Sequence, residues 1–268
     1  MWIGLAWLVV MAALIWWGEN QAASGGKLEV TLPGNTGLDL VWIRPGTFLM
    51  GSPASEPGRP SNEGPQTQVI LTKGFWLGKF TVTQRQWLAL MGNNPSFFIG
   101  AGLDAPVEQV SWDEAMAFCH KLTAQERAAG RLPAGFQYTL PTAAQWEYAC
   151  RAGTTGPYPG PVDSIAWYNR NSGGTTHAVG TKLPNAWGLY DMNGNIWQWC
   201  ADWAWDYPGG LISDPVGPAS GTIRIDRGGA WGCNSDQVRS AFIGTNGDPP
   251  ASHQNVIGFR VALAVVRP

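Results

Sequence analysis

The stretch NAWGLYDMNGNIWQW, residues 185–199, joins a polar turn to the start of a tryptophan-rich strand. Its first part is rich in Asn, Asp and Gly, the residue types that favour tight turns. From Trp197 the sequence places tryptophan at alternate positions, and alternate residues of a strand face the same side. We therefore predict a turn that leads into a strand over 197–202. The tryptophans from Trp197 to Trp205 are expected to pack in a core rather than to form a ligand platform.

The composition of the whole chain predicts an ordered domain with long loops. Gly and Pro contribute 35 and 20 of the 268 residues, which is typical of a fold with many turns. The chain also has 16 tryptophans, and disordered chains are poor in aromatic residues. A formal net charge of -2 without a basic stripe argues against nucleic-acid binding.

The N-terminal segment predicts a membrane anchor. No charged side chain occurs from Trp2 to Trp17, and tryptophans flank both ends of this apolar run, as at the two interfaces of a bilayer. A cleaved signal peptide is the alternative, with a cleavage site near Ala22, but the basic start of a signal peptide is missing. We expect a transmembrane helix over 1–20, a linker over 21–37 and one domain over 38–268, held on the extracytoplasmic (periplasmic) side.

Local patterns in the domain predict an α+β fold. Thr83, Ser111 and Thr142 are each placed to cap the first turn of a helix, and the last two begin a capping box. A Pro-Gly turn between the extended runs 40–43 and 47–50 predicts a hairpin. Further strands are predicted over 68–71, 75–81, 197–202, 222–227, 238–243 and 256–265.

Seven motifs together resemble the formylglycine-generating enzyme (sulfatase-modifying factor) family, a variant of the C-type-lectin-like fold. They run in family order from about residue 40 to residue 263. The resemblance implies a loop-rich, C-type-lectin-like α+β domain. The motifs are GTFLMGS (46–52), FWLGKFTVT (75–83), PVEQVSWDEA (106–115), LPTAAQWEYACRAG (140–153), NAWGLYDMNGNIWQW (185–199), RGGAW (227–231) and NVIGFRVA (255–262).

The resemblance also implies a catalytic centre that this chain lacks in part. Active members use two cysteines, five positions apart, to bind copper and to oxidise a substrate cysteine with oxygen. Cys233 stands at the first cysteine position, whereas Val238 stands at the second and Ala230 at the position of the catalytic serine. Soft thiolates select Cu(I), and a valine cannot replace one. We expect no enzyme activity and no copper, with Cys233 as a vestigial thiol.

The resemblance further implies a calcium site in the 185–199 stretch. Its ligands would be the side chains of Asp191 and Gln198 and the carbonyl groups of Gly194 and Ile196, which are the hard oxygen donors that calcium prefers. Gln198 stands where the family usually has Glu, which removes a charge. The alternative is a turn stabilised by its own side-chain hydrogen bonds.

Several polar and sulfur-bearing residues are expected in the interior. Asp202, Arg227 and Arg260 are candidates for buried ion pairs that organise the core. Four cysteines allow three disulfide pairings, which the sequence leaves open, although two of them lie on apolar faces of predicted helices. The cysteines are Cys119, Cys150, Cys200 and Cys233.

These features lead to three hypotheses about function. The first is a non-enzymatic, membrane-anchored subunit that docks on and stabilises a larger membrane protein complex, such as a respiratory or photosynthetic one, with lipid around its N-terminal helix. The second is an exported copper- or thiol-dependent oxidase that uses Cys233. The third is a lectin-like display protein that binds ligands through a face near the C-terminus, comprising Asn234, Asp236, Gln237, Asn246 and His253.

Overall fold

The computed structural model describes residues 26–244 and 247–266. The predicted anchor over 1–20 lies outside these residues, as does Asn246 of the predicted binding face. Within the described ranges, no helix is both long enough and apolar enough to cross a membrane.

The described residues form small sheets of mixed direction. A five-stranded sheet has the order β1-β2-β5-β13-β6, two three-stranded sheets have the orders β10-β4-β3 and β11-β9-β12, and β7 pairs with β8. The strands are β1 (Lys27–Leu32), β2 (Thr36–Ile43), β3 (Gly46–Met50), β4 (Thr67–Leu71), β5 (Phe75–Gly78), β6 (Phe136–Thr139), β7 (Ala166–Trp167), β8 (Asn193–Gly194), β9 (Trp197–Trp203), β10 (Leu211–Ser213), β11 (Arg224–Arg227), β12 (Ile257–Phe259) and β13 (Ala262–Val265).

The three helices predicted from capping residues are confirmed. Thr83, Ser111 and Thr142 each accept a hydrogen bond from the backbone N–H three residues later, and the side chain at that position reaches back to the cap. This arrangement satisfies N–H groups that a helix start otherwise leaves free. The helices are α1 (Gln84–Met91), α2 (Trp112–Ala128), α3 (Ala143–Arg151) and the short α4 (Val162–Ile165).

The hairpin predicted between 40–43 and 47–50 is wrong. β2 pairs with β1 on one edge and with β5 on the other, whereas β3 pairs with β4 in a different sheet. Trp42 of β2 lies opposite Trp76 of β5, with ring centroids 5.3 Å apart, so the observed pairing packs two indoles together. The Pro-Gly turn therefore carries the chain from one sheet to the next.

The linker predicted over 21–37 contains a strand of the domain. β1 pairs antiparallel with β2 from Lys27 opposite Val41 to Leu32 opposite Thr36. Val30 and Leu32 are buried in the core. The strand was missed because its alternating pattern is short and lies between two glycine-containing segments. The domain therefore begins before residue 38.

Two predicted strands near the C-terminus differ in the structure. Residues 238–243 are not a strand, because Ser235–Val238 form a 3-10 turn and Ile243 makes one isolated bridge with Arg227. The run 256–265 is divided into β12, parallel to β9, and β13, antiparallel to β5 and β6. The two strands are separated at Arg260 and Val261. The guanidinium of Arg260 is buried and donates to the backbone carbonyls of Gly78 and Tyr190.

The strand β9 lies between the two main hydrophobic clusters. Trp199 packs in the first cluster, where the rings of Trp87, Phe118 and Phe259 contact one another, and Cys200 packs in the second. Successive residues of a strand face opposite sides, so the stretch that begins at residue 185 is anchored in both halves of the core.

Candidate functional site

The structure brings together Ala230, Cys233 and Val238, the three positions at which the sequence resemblance implies a catalytic centre. Cys233 packs on the hydrophobic cluster that contains Val238, and its backbone N–H donates to the Ala230 carbonyl oxygen at 2.9 Å. Gly229 has a positive φ of 73°, and a Cβ atom there would lie 2.5 Å from Val238 Cγ1. The loop can approach Val238 this closely because position 229 is glycine.

The environment of Cys233 disfavours thiolate chemistry. Burial raises the pKa of the Cys233 thiol, and the hydrogen bond from the backbone near Ala230 only partly opposes this shift. The neighbouring wall is hydrocarbon from Ile165, Tyr168 and Val238. Copper and nucleophilic chemistry both require the thiolate, which this site makes less available.

All four cysteines are free thiols in the structure. Cys119, Cys150 and Cys200 are fully buried, and burial raises the pKa of each. Cys150 Sγ lies 3.6 Å from the Ser240 hydroxyl oxygen. These thiols fill space in the core, as the sequence predicted for the two that lie on helices.

The polar turn of the 185–199 stretch uses its oxygens for internal hydrogen bonds. Asp191 Oδ2 accepts from the Gly180 N–H at 2.7 Å, and the Gly194 carbonyl accepts from the Ile196 N–H at 2.9 Å. Burial raises the pKa of Asp191, which favours the neutral form over the charged form that a cation requires.

Gln198 is engaged on both sides of its amide. Its Oε1 accepts from Trp146 Nε1 at 2.8 Å and from Arg260 Nε at 3.1 Å, while its Nε2 donates to the Asp191 carbonyl at 2.8 Å. The Gln198 side chain therefore lies beside the Arg260 guanidinium and donates a hydrogen bond to the loop that was predicted to bind calcium. These contacts hold the turn by internal hydrogen bonds, and calcium in this loop stays a prediction. Among the described residues, no group of three or more His, Cys, Asp or Glu side chains could hold a metal.

The buried charges pair differently from the sequence prediction. Arg227 lies 3.1 Å from Glu147 Oε2, and Glu147 also pairs with Arg151 on the same helix. Asp202 accepts from the Ala143 N–H at the start of α3, and Arg260 bonds to Gln198 and to backbone carbonyls. The sequence analysis did not predict that Glu147 is buried and paired. The available signal was its position as a charged residue among the apolar residues of α3.

A second buried network surrounds Arg239, which the sequence prediction also missed. Arg239 pairs with Glu63 and Glu56, and these three side chains are almost inaccessible to solvent. Its remaining N–H groups donate to the carbonyls of Gly58 and Asp236. The network joins the loop that follows β3 to the 3-10 turn next to Cys233.

The predicted binding face is divided among different parts of the described surface. Asn234, Asp236 and Gln237 lie on or beside the 3-10 turn, where the Asn234 N–H donates to Gln237 Oε1 at 2.9 Å. His253 lies instead against the start of α2, with its Nε2 2.8 Å from Glu114 Oε2. The structure thus brings three of the five predicted residues together.

Small mixed sheets around an aromatic core, with a cysteine loop beside the C-terminal strands, define a loop-rich domain of the C-type-lectin-like class. The family model for the sulfatase-modifying factor enzyme 1-like domain matches residues 29–265, and the chain belongs to this family. The resemblance found in the sequence is confirmed.

Curated relatives carry different names. The chaperone protein LppX of Paenibacillus barcinonensis is 30% identical over 92% of this chain and 96% of that protein. The formylglycine-generating enzyme of Streptomyces coelicolor is 32% identical over 59% of this chain and 52% of that protein. The chain therefore spans about half the length of this enzyme, but nearly all of the chaperone.

Solved structures share the fold over most of the chain. Treponema denticola variable protein 1 superposes with a TM-score of 0.78 and 30% identity, covering 88% of this chain and 98% of that one. PvdO from Pseudomonas aeruginosa superposes with a TM-score of 0.73 and 26% identity, covering 85% of this chain and 94% of that one.

Proposed function

We propose that this chain is a non-enzymatic, extracytoplasmic member of its family that binds other proteins. The observation that carries the proposal is the position of Cys233 against hydrocarbon, with Val238 where a second thiolate would be needed. A single buried thiol cannot provide the linear two-sulfur coordination that stabilises Cu(I). The likeness to a protein named as a chaperone, over nearly the full length of both chains, supports a binding role.

Titration with Cu(I) in competition with a chelator tests the loss of catalysis. We expect the wild-type chain to leave Cu(I) with the chelator, and the Val238→Cys variant to bind it, because this variant restores a second thiolate next to Cys233. Val238→Ala is the matched control, since it changes the same wall without adding sulfur. Stoichiometric Cu(I) binding by the wild type, as tight as in Val238→Cys, would show that the proposal is wrong.

The finer proposal is that residues 1–20 anchor the domain in a membrane and that the domain docks on a larger membrane protein complex. The uncharged run from Trp2 to Trp17 supports the anchor. Purification of the tagged full chain from native membranes in mild detergent tests this proposal. We expect a fixed set of membrane proteins in constant ratio to the chain, and loss of that set when residues 1–20 are removed. Exported clients in variable ratio would favour a chaperone role instead, and a chain recovered alone would contradict both.

A display function is the second candidate. It is supported by the likeness to Treponema denticola variable protein 1 and by the clustering of Asn234, Asp236 and Gln237 on or beside one 3-10 turn. Simultaneous replacement of these three by alanine should abolish capture of the ligand, and circular dichroism checks that the domain stays folded, because Gln237 also stabilises the turn. Unchanged capture would reject this candidate.

A further inference from the structure

A groove of about 410 Å³ lies beside the turn that carries Asp236. Pro57 and Pro157 form parts of its walls, and Tyr158 contributes an aromatic ring. Glu56 and Asp236 place carboxylates on the lining. A volume of several hundred Å³ is the usual size of a site for a small ligand or a large side chain.

The charges around the groove do not balance. Among the described residues that line the groove, Glu56 and Asp236 are acidic and Arg239 is basic. Arg239 directs its guanidinium to Glu56 and Glu63. The carboxylate of Asp236 has no ion-pair partner among the described side chains, so the groove keeps a net negative charge.

Arg239 cannot turn outward to compensate this charge. It is buried, and its Nε donates to the Asp236 carbonyl at 2.8 Å rather than to the Asp236 carboxylate. One of its terminal nitrogens also donates to the Gly58 carbonyl at 3.2 Å. With the Arg239 guanidinium bound to these groups, the described lining of the groove offers acceptors and no free cation.

The ring of Tyr158 is held in place at the same groove. Its hydroxyl donates to the Ser235 carbonyl at 2.7 Å, and the ring packs against the cluster that contains Val238. A fixed aromatic face next to a free carboxylate suits a planar cation, because the ring attracts positive charge and the carboxylate accepts its N–H groups.

We propose that the groove binds an arginine side chain presented by a partner protein. The inference rests on the proposed protein-binding function and identifies one contact of that function. A guanidinium can stack on Tyr158 and donate to Asp236 at the same time, whereas an ammonium offers a point charge without a stacking plane. The negative groove and the cationic side chain are complementary in charge, which also favours encounter of the two proteins.

Titration of the full chain in mild detergent with the capped tripeptide acetyl-Ala-Arg-Ala-amide tests the groove. The matched probe is the same peptide with citrulline, which keeps the shape of arginine and removes its charge. We expect saturable binding of the arginine peptide, about tenfold or more tighter than the citrulline peptide, because hydrogen bonds between charged groups are the stronger ones. Equal binding of the two peptides, or no saturable binding, would overturn the proposal.

Two variants locate the binding in the groove. Asp236→Asn should weaken binding of the arginine peptide about tenfold, and Tyr158→Leu should weaken it about two- to fivefold through loss of the aromatic face. Asp104→Asn is the control, since Asp104 pairs with Arg85 on an exposed surface elsewhere. Binding that is unchanged in both groove variants would overturn the proposal.

The same variants separate this inference from the proposed function. If the wild-type chain does not bind the arginine peptide, while both it and Asp236→Asn recover the same partners from native membranes, the groove assignment is wrong and the binding function stands. If the wild-type chain recovers no partner at all, the function itself is wrong, whatever the peptide does.

Discussion

Asp226 is a buried acid in β11, the strand that pairs with the tryptophan-rich β9. Burial raises the pKa of its carboxyl to about 7, and the neighbouring Asp248 carboxylate adds to the shift. Asp248 is held close because its backbone bridges to Arg224 in the same strand. Near neutral pH the folded chain therefore holds a proton that the unfolded chain releases.

The pH dependence of stability follows from this proton. The pKa of Asp226 is raised on folding. The contribution of Asp226 to the free energy of unfolding is therefore fully present below the ordinary pKa of an aspartate and is lost as the pH rises through about 7. Asp226→Asn stays neutral at all these pH values. From pH 5 to pH 8 its free energy of unfolding should therefore rise by roughly 1–4 kcal/mol relative to that of the wild type. Urea unfolding at the two pH values measures the difference. Asp39→Asn, at an exposed carboxylate, is the control, and an equal pH response of wild type and Asp226→Asn would contradict the assignment.

Single residues show how far the sequence could predict the site. The family positions of Ala230, Cys233 and Val238 were assigned from the sequence, because the short motif RGGAW fixes their register. The partners of Arg227 were not, because Glu147 is 80 positions away along the chain and nothing local links the two. Pairing between distant charges is decided by packing, which a single sequence does not display.

Helix starts were the most predictable elements, because a cap is a local interaction. In α3, Thr142 Oγ1 accepts from the Gln145 N–H at 3.1 Å, and Gln145 Oε1 accepts from the Thr142 N–H at 2.9 Å. This helix also carries Glu147 and Cys150 into the core. Its first turn therefore supports both a charge network and the second hydrophobic cluster.

Removal of this cap gives a test at the scale of one helix. Thr142→Ala should lower the free energy of unfolding by about 1 kcal/mol, because the Gln145 N–H loses its acceptor in a buried setting. Urea denaturation measures the change. Thr142→Ser keeps the hydroxyl and should stay close to the wild type, whereas an alanine variant as stable as the wild type would mean that the Asp202 carboxylate alone caps the helix.

Strand pairing was the least predictable feature at this scale. The runs that became β2, β3, β4 and β5 were recognised, but β2 and β3 were predicted to pair with each other. In the structure β2 pairs with β5, and β13 from the end of the chain pairs with β5 and β6. Alternation identifies a strand and its buried face, whereas the choice of partner depends on residues far away in sequence.

At the scale of the whole molecule, the network around Gln198 joins segments that are distant in the chain. Gln198 in β9 contacts Trp146 of α3 and Arg260, and Arg260 reaches the carbonyls of Gly78 and Tyr190. In this arrangement a guanidinium supplies the positive charge at the centre of the fold. The stability of the domain should therefore not depend on a metal.

Thermal unfolding with and without calcium tests this expectation. A ligand that binds only the folded state raises Tm, so Tm of the wild-type chain should be the same in excess calcium, excess magnesium and excess EDTA. Gln198→Glu should lower Tm in EDTA, because a carboxylate cannot donate to the Asp191 carbonyl. A rise of the wild-type Tm in calcium, but not in magnesium, would restore the calcium site.

The three buried thiols bear on the order in which the chain folds and can be oxidised. In an oxidising compartment, Cys119, Cys150 and Cys200 are open to oxidants and to one another only until the core closes around them. On the proposed extracytoplasmic side of the membrane, collapse of the core must therefore be faster than oxidation of the thiols. A chain delayed in that interval would form cross-links between these thiols, so we expect folding to be complete before they can be oxidised.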